Sequence, residues 1–218
     1  MAFCTPFRLC LSRHCPWCNY LRRVVPVEYE FGGLFEKAAQ KGFNLVGLVP
    51  SFTAFSQNAG LHFVLKKLPD GKPKEKRHYR PFLALPDLEL VRADNCGSGK
   101  AERMLKLLKL YPRLLFDEGL INGAFFQPEL HIGFYPCQPS DDRLKVAEAL
   151  LPHLNMLVTT TRRPDWHWAR KCWEIWRIAC QEYGIMRNGI GYPDLFVDRR
   201  MDQPHEPSGW LSYCLKAK

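Results

Sequence analysis

Residues 128–135 read Pro128-Glu129-Leu130-His131-Ile132-Gly133-Phe134-Tyr135. Apolar residues alternate with polar residues or glycine, and this period of two predicts a half-buried strand. Side chains two positions apart on a strand point to the same face, so we expect Glu129 and His131 to lie side by side. Their oxygen and nitrogen atoms could bind one divalent cation, with Gln127 as an additional neutral ligand. A solvated strand face with two polar residues is the alternative interpretation.

Composition limits the possible classes of protein. The 218 residues suffice for one domain or for a domain with a small appendage, and a hydrophobic fraction of 46% suffices for a core. The formal net charge of +9 favours a polyanionic partner, nucleic acid before a membrane. No apolar run approaches the length of a membrane span, and charged residues interrupt the N-terminus, so we expect neither a transmembrane segment nor a signal peptide.

Cysteines are concentrated near the N-terminus. Without an export signal, the nine cysteines of the chain are expected to be reduced thiols or metal ligands. Cys4, Cys10, Cys15 and Cys18 are a closed set of four soft ligands, which predicts a structural, tetrahedral Zn²⁺ site, with His14 as an alternative to Cys4. A redox C-x-x-C or scattered thiols are the alternatives. A redox motif should follow a strand in a βαβ unit, which the sequence does not indicate.

The cysteine-rich segment carries the first resemblance to a known family. It reads Cys10-Leu-Ser-Arg-His-Cys15-Pro-Trp-Cys18-Asn-Tyr-Leu-Arg-Arg. This resembles the segment that precedes the catalytic domain in many rolling-circle plasmid replication initiators and related rolling-circle transposases, commonly C-x-x-R-x-C-P-x-C. The resemblance implies a zinc-binding segment over 1–28 and an HUH endonuclease-like domain over 29–218. It also implies three further motifs in a fixed order.

The first two of these motifs are strands. The apolar stretch 43–49 stands where the family has an apolar strand, although it lacks the usual Thr residues. The second motif, two histidines flanking one bulky hydrophobic residue and preceded by Pro, names the HUH endonucleases. Pro128, Leu130 and His131 fit this pattern. Glu129 stands where the first His is usual, and a Glu/His pair suits Mg²⁺ or Mn²⁺, which prefer oxygen ligands. The resemblance therefore implies a catalytic Mg²⁺ or Mn²⁺ on Glu129 and His131.

The C-terminal sequence Tyr213-Cys-Leu-Lys216 matches the third motif, a helix carrying Y-x-x-K. A phenol is a poor nucleophile near neutral pH because its unperturbed pKa is about 10. A nearby ammonium and a metal-bound phosphate favour attack by the phenolate. The resemblance implies that Tyr213 is the nucleophile and that Lys216 stabilises negative charge. Tyr183 and Tyr192 are rival nucleophiles without a Lys three residues later, and a terminal helix with Tyr213 packed inward is the alternative interpretation.

The resemblance implies an α+β fold: a central antiparallel sheet flanked by helices, as in ferredoxin- and RRM-like domains, with the metal strand in its middle. It implies nicking and joining of single-stranded DNA at a replication origin through a 5′-phosphotyrosine intermediate. This reaction would start rolling-circle replication in the cytoplasm of a bacterial or phage-infected cell, with host helicase and polymerase as further partners. Two other classes stay open. One is a non-catalytic, zinc-containing nucleic-acid-binding or regulatory protein on the same scaffold, and the other is a structural or host-interaction protein.

Basic residues supply the candidate DNA contacts. A charged loop over 69–80, between predicted strands at 61–68 and 81–91, suits phosphate contacts, or it is a plain solvated loop. In a predicted helix over 165–184, tryptophans at helical spacing are expected in the core, whereas cations are phosphate candidates. The predicted nucleic-acid-binding residues are Lys72, Lys74, Lys76, Arg77, Arg80, Arg170 and Arg177.

Helical spacing predicts the other helices. Apolar residues recur every three or four positions over 29–41, 101–116 and 141–154, as expected for one buried helix face. The last of these segments also begins with two aspartates, which favour the N-terminal end of a helix dipole. The sequence therefore predicts a helix directly after the metal strand.

Overall fold

The structure is a computed structural model of the chain. It describes residues 18, 21, 25–53, 59–67, 73–79, 98–137, 145–185, 192–199 and 210–211. At 28, 65–67, 73–79, 98–101, 130–137 and 145–151 it describes the backbone alone. Several residues singled out above lie outside the described part: Cys4, Cys10, Cys15, Lys72, Arg80, Tyr213 and Lys216.

Helices and strands alternate irregularly along the described chain. The helices are α1 (Val25–Gln40), α2 (Ser98–Asp117) and α3 (Trp166–Glu182). The strands are β1 (Asn44–Thr53), β2 (Leu61–Lys67), β3 (Pro73–Tyr79), β4 (Gly123–Cys137), β5 (Lys145–Thr160) and β6 (Tyr192–Asp198). This confirms the predicted α+β class. Within the described residues, no helix combines the length and the apolar character needed to cross a membrane.

The strands form one sheet in the order β3-β2-β6-β1-β5-β4. Neighbouring strands are antiparallel except β2 and β6, which run parallel. The sheet is therefore mixed. The parallel pair arises because β6 lies between β1 and β2. Among the described strands, β4 pairs with β5 alone, so the predicted metal strand lies at the side of the sheet. The prediction that it lies in the middle is wrong, since β6 and β1 occupy that position.

The two faces of the sheet have different coverings. On the helical face, α2 and α3 pack on alternate strand residues such as Leu48, Met156 and Val197. On the other face, which we call the α1 face, a smaller cluster joins α1 and the C-terminal segment to the sheet. It consists of Phe35, Leu45, Leu157 and Leu211, with Phe31, Phe125 and Trp210 packed against it. Because side chains alternate along a strand, β1 and β5 contribute to both layers.

Helix α3 agrees closely with the helix predicted over 165–184. Trp173 and Trp176 are fully buried, as expected for the apolar stripe of a core helix. Asp165 is the N-cap, and its carboxylate accepts the backbone N–H of Trp168 at 3.0 Å. The capping bond satisfies one of the N–H groups that the first turn of a helix leaves without an intrahelical partner.

Replacing Asp165 with alanine is expected to lower the free energy of unfolding by about 1 kcal/mol. The hydrogen bond from Trp168 lowers the pKa of Asp165 in the folded protein. The contribution is therefore present above the ordinary pKa of aspartate and is lost as the pH falls through the folded-state value. Urea titrations at neutral and acidic pH measure both effects, and Asp165→Asn, which retains a capping oxygen, should cost less. Equal stability of the wild type and the alanine variant at neutral pH would contradict this assignment.

The prediction of a helix over 141–154 is wrong for the described part of that segment. The backbone of β5 pairs with β4 from Lys145 opposite Cys137 to Thr159 opposite Gly123. Hydrogen bonds between the strands therefore replace those within a helix. The apolar spacing is compatible with a helix, but Pro152 has no N–H and would interrupt one. Tertiary pairing along the whole of β4 outweighs the local preference of the segment.

The prediction of a basic loop over 69–80 is also wrong in part. Residues 73–79 are strand β3, which pairs antiparallel with β2. Lys74, Lys76 and Arg77 therefore lie on the outermost strand of the described sheet. Charged residues are common on such strands because they discourage pairing with other molecules. The strand predicted over 81–91 lies outside the described residues.

Candidate metal centre

Glu129 of β4 lies directly opposite His153 of β5. Its carboxylate oxygen Oε2 is 2.9 Å from His153 Nε2 and accepts a hydrogen bond from Asn155 Nδ2, also at 2.9 Å. His153 and Asn155 are two residues apart and share one face of β5. The intervening Leu154 and the next residue, Met156, pack on the helical face. Glu129, His153 and Asn155 therefore converge on the α1 face, and we call them the polar triad.

The polar triad is largely removed from solvent. The side chains of Glu129 and His153 are 18% and 15% exposed, and Asn155 is 1% exposed. Asn155 Oδ1 has no hydrogen-bond partner among the residues that the structure describes. Leaving a buried acceptor unsatisfied costs roughly 1–3 kcal/mol. A further group that binds this oxygen would therefore stabilise the site.

The chemistry of the polar triad suits a hard divalent cation. Carboxylate and amide oxygens and an imidazole nitrogen are suitable ligands for Mg²⁺ or Mn²⁺. Glu129 Oε2 is the hydrogen-bond partner of both His153 Nε2 and Asn155 Nδ2, and a bound cation would replace these two hydrogen bonds. His153 would then present an unprotonated Nε2, and a half-turn of the Asn155 amide would present Oδ1. In the described part of the chain, no three His, Cys, Asp or Glu side chains form such a group, so an amide would have to supply the third ligand at the polar triad.

Sequence analysis does not identify His153 and Asn155, although a signal is present. Residues 152–155 read Pro-His-Leu-Asn. His153 and Asn155 flank one bulky hydrophobic residue, the same spacing that singled out Glu129 and His131. The helix predicted over 141–154 hides this signal, because residues two positions apart on a helix do not face each other. Assigned to a strand, the same residues share a face with each other.

Two residues predicted as ligands on β4 have different outcomes. His131 lies two positions beyond Glu129, and its backbone is opposite Leu151. Its side chain is outside the described part, so its role as a ligand stays a prediction. Gln127 lies opposite Asn155, but its amide nitrogen donates to the carbonyl oxygen of Pro128 at 3.4 Å. The structure therefore gives Gln127 a local backbone partner.

The predicted zinc site is described at one residue only. Cys18 is 1% exposed, and the other three predicted ligands lie outside the described part of the chain. Zinc binding and the division of the chain at residue 28 stay predictions. Helix α1 begins at Val25, so it runs across that proposed boundary.

Of the two rival tyrosines, Tyr183 lies on the helical side of the sheet and Tyr192 lies at the start of β6. Tyr192 is 7% exposed and belongs to the large core cluster. Tyr183 is the C-cap of α3, which packs on the helical face. Tyr183 is therefore separated by the sheet from Glu129 and His153, whereas Tyr192 is buried on β6, two strands away from His153 on β5. This arrangement leaves Tyr213 as the candidate nucleophile from the sequence.

The chain returns to the α1 face shortly before Tyr213. Trp210 Nε1 donates to the carbonyl oxygen of Met156 at 2.9 Å, and Leu211 is fully buried in the α1-face cluster. Leu211, which precedes Tyr213 by two positions in the sequence, therefore lies on the face that carries the polar triad.

A second histidine–carboxylate pair lies on the α1 face. His62 Nε2 is 2.9 Å from Asp194 Oδ1. Asp194 also accepts hydrogen bonds from the backbone N–H of Gly60 at 3.1 Å and from Ser51 Oγ at 3.4 Å. These donors connect the start of β2 and strand β1 to β6. The fold itself satisfies this carboxylate, whereas the polar triad leaves Asn155 Oδ1 without a described partner.

The predicted DNA contacts on α3 lie away from the polar triad. Arg170 is exposed and donates to Glu174 at 2.9 Å, an ion pair one helical turn apart. Arg170 and Arg177 belong to the layer on the helical face, whereas Glu129 faces the opposite side. Their DNA contacts stay predictions. DNA bound by these two arginines would lie on the opposite side of the sheet from the polar triad.

Comparison of the chain with protein-family models, with curated proteins and with solved structures found no match in any of the three. Function is therefore inferred from the chemistry of the polar triad and from the motifs quoted above.

Proposed function

We propose that the protein nicks and joins single-stranded DNA with a tyrosine nucleophile, as HUH rolling-circle initiators do. The observation that carries the proposal is the convergence of Glu129, His153 and Asn155 on one sheet face. The docking of Trp210 and Leu211 on the same face supports it, since Tyr213 comes two positions after Leu211 in the sequence. We assign the catalytic ion to the polar triad, with the sequence-based pair of Glu129 and His131 as the competing assignment.

The proposed chemistry is a transesterification at a DNA phosphate. Bound Mg²⁺ or Mn²⁺ would polarise that phosphate as a Lewis acid. The phenolate oxygen of Tyr213 forms a bond to phosphorus while the bond from phosphorus to the 3′ oxygen breaks. The phenol proton passes to solvent, and the leaving 3′ oxygen gains a proton. Lys216 stabilises the negative charge that develops on the phosphate. The products are a 5′-phosphotyrosine link and a free 3′-OH that a polymerase can extend.

The wider setting follows from the same resemblance. Cys4, Cys10, Cys15 and Cys18 would hold a structural Zn²⁺ ahead of the catalytic domain. The substrate would be single-stranded DNA at the replication origin of a plasmid or phage, with host helicase and polymerase as partners. The formal charge of +9 supports a DNA substrate, and the reduced cysteines expected above support a cytoplasmic location.

Incubation of the full chain with a single-stranded oligonucleotide library and Mn²⁺ tests the proposal. We expect a protein–DNA adduct that survives denaturation and that EDTA prevents, because the reaction needs both the bound ion and a covalent bond. Absence of an adduct across the library would contradict it. DNA binding that weakens steeply with salt but gives no adduct would then favour a non-catalytic nucleic-acid-binding protein. Absence of salt-dependent binding would favour a structural or host-interaction protein.

A further inference from the structure

Gly47 of β1 lies directly beneath the indole ring of Trp210. A Cβ atom at Gly47 would be 2.9 Å from Trp210 Cζ2 and 3.1 Å from both Cε2 and Cη2. These distances leave no room for a side chain, so any larger residue at this position must displace the ring. The indole of Trp210 can therefore pack this closely on β1 only because residue 47 is glycine, and we call this contact between Gly47 and Trp210 the seat.

The indole is also attached to the strand that carries the polar triad. Trp210 Nε1 donates to the carbonyl oxygen of Met156, the residue that follows Asn155 on β5. The next residue, Leu211, is fully buried between α1 and the sheet. The segment is thus held by a steric seat on β1, a hydrogen bond to β5 and a buried leucine.

We propose that Trp210 is a positioning residue that fixes the segment leading to Tyr213 relative to the polar triad. This inference rests on the proposed function, because it assigns Trp210 a role in delivering the nucleophile. Trp210 itself would not touch the reacting atoms. A displacement of about 1 Å of a reacting group can cost on the order of a hundredfold in rate. The close fit between Gly47 and Trp210 is suited to limiting such displacements.

Gly47→Ala tests the seat, and Gly33→Ala is its matched control. Gly33 lies on α1, and an added Cβ there would meet nothing within 4 Å. For Gly47→Ala we expect the rate of adduct formation at saturating DNA to fall at least about tenfold. The dissociation constants for Mn²⁺ and for DNA should stay within about twofold of wild type, since the polar triad is intact. Gly33→Ala should match wild type in all three measurements.

A double-mutant cycle with Trp210→Ala separates the seat from a general effect on β1. If Gly47 acts only through Trp210, adding Gly47→Ala to Trp210→Ala should slow the reaction no further. Additive losses would overturn the proposal. Should Gly47→Ala fail to fold, Trp210→Phe replaces it, because this variant keeps an aromatic side chain while it removes the donor to Met156 and part of the ring that lies against Gly47. Its reaction should then be slower than wild type but faster than that of Trp210→Ala, and a rate equal to wild type would overturn the proposal.

Hydrogen exchange of the peptide over 210–213 distinguishes failure of this inference from failure of the proposed function. Gly47→Ala should speed exchange in this peptide, whereas Gly33→Ala should not. Unchanged exchange in Gly47→Ala would show that Gly47 does not hold Trp210 in place. Faster exchange with an unchanged adduct rate would overturn the positioning role. A wild-type protein that forms no adduct would overturn the proposed function, and the exchange comparison would still decide whether Gly47 seats Trp210.

Discussion

A His153→Ala protein is expected to bind Mn²⁺ at least about a hundredfold more weakly than wild type and to form no DNA adduct at low Mn²⁺. Loss of a group that merely orients a metal ligand typically costs about 10–100-fold in affinity, so loss of a ligand should cost at least as much. His153 Nε2 is 2.9 Å from Glu129 Oε2, where the ion would bind. Equilibrium dialysis gives the affinity, and excess Mn²⁺ should restore part of the activity.

Two other histidines provide the comparison. His131→Ala tests the ligand expected from the sequence pattern on β4. His62→Gln alters the second histidine–carboxylate pair, whose carboxylate the fold already satisfies, and should leave Mn²⁺ binding unchanged. If His131→Ala binds Mn²⁺ weakly and His153→Ala binds it normally, the ligands are Glu129 and His131 rather than the polar triad.

Asn155 allows a finer test of the same site. Asn155→Leu removes the buried amide oxygen with little change in volume, so it should weaken Mn²⁺ binding as His153→Ala does. Asn155→Asp retains an oxygen ligand and adds a charge, which should preserve or strengthen binding of a hard ion. Without the ion, two carboxylates would lie side by side, so the melting temperature of Asn155→Asp should rise on adding Mn²⁺ more than that of wild type. Equal Mn²⁺ affinity in the leucine and aspartate variants would rule out Asn155 as a ligand.

Tyr213→Phe is expected to abolish the adduct while leaving single-stranded DNA binding nearly intact. The substitution removes only the oxygen that would bond to phosphorus, and loss of a nucleophile costs at least about a thousandfold in rate. Denaturing electrophoresis of labelled DNA measures the adduct, and fluorescence anisotropy measures binding. Lys216→Ala should slow the reaction without eliminating it, because the ammonium stabilises charge but forms no bond.

Tyr183→Phe is the matched control for the nucleophile. Tyr183 is 39% exposed, but it ends α3 on the other side of the sheet from Glu129. Its phenol could react with solvent-borne reagents, yet it cannot reach an ion at the polar triad without unfolding. The variant should form the adduct as fast as wild type. An adduct that persists in Tyr213→Phe would show that another tyrosine is the nucleophile.

The elements with strong local signals were predicted correctly from the sequence. Helix α3 has an N-cap and a stripe of large apolar residues, and its predicted and observed bounds differ by at most two residues at each end. Helix α2 was also predicted from its apolar stripe, β1 from its continuous apolar run and β4 from its alternation of apolar and polar residues. Such patterns record which side of an element is buried, and this is a local property of the sequence.

The elements with nonlocal causes were not predicted. Residues 145–151 have helical spacing, yet they form a strand because β4 offers them an unbroken run of partners. The same error concealed the polar triad, since His153 and Asn155 share a face only on a strand. Glu129 could be singled out from its own pattern, but its two partners depend on a register that no single segment encodes.

The position of β6 has a consequence for synthesis of the chain. Strand β6 lies between β1 and β2, although its residues are 134 to 151 positions away in sequence from those they pair with. A ribosome releases β1 through β5 before the strand that joins β2 and β3 to the rest of the sheet. Pairings of such long range close slowly, because loop entropy opposes them until they form. Until residues 192–198 leave the ribosome, the β2–β3 hairpin therefore stays separate from the β1-β5-β4 part of the described sheet, and the edges of β1 and β2 that β6 will join stay without that strand.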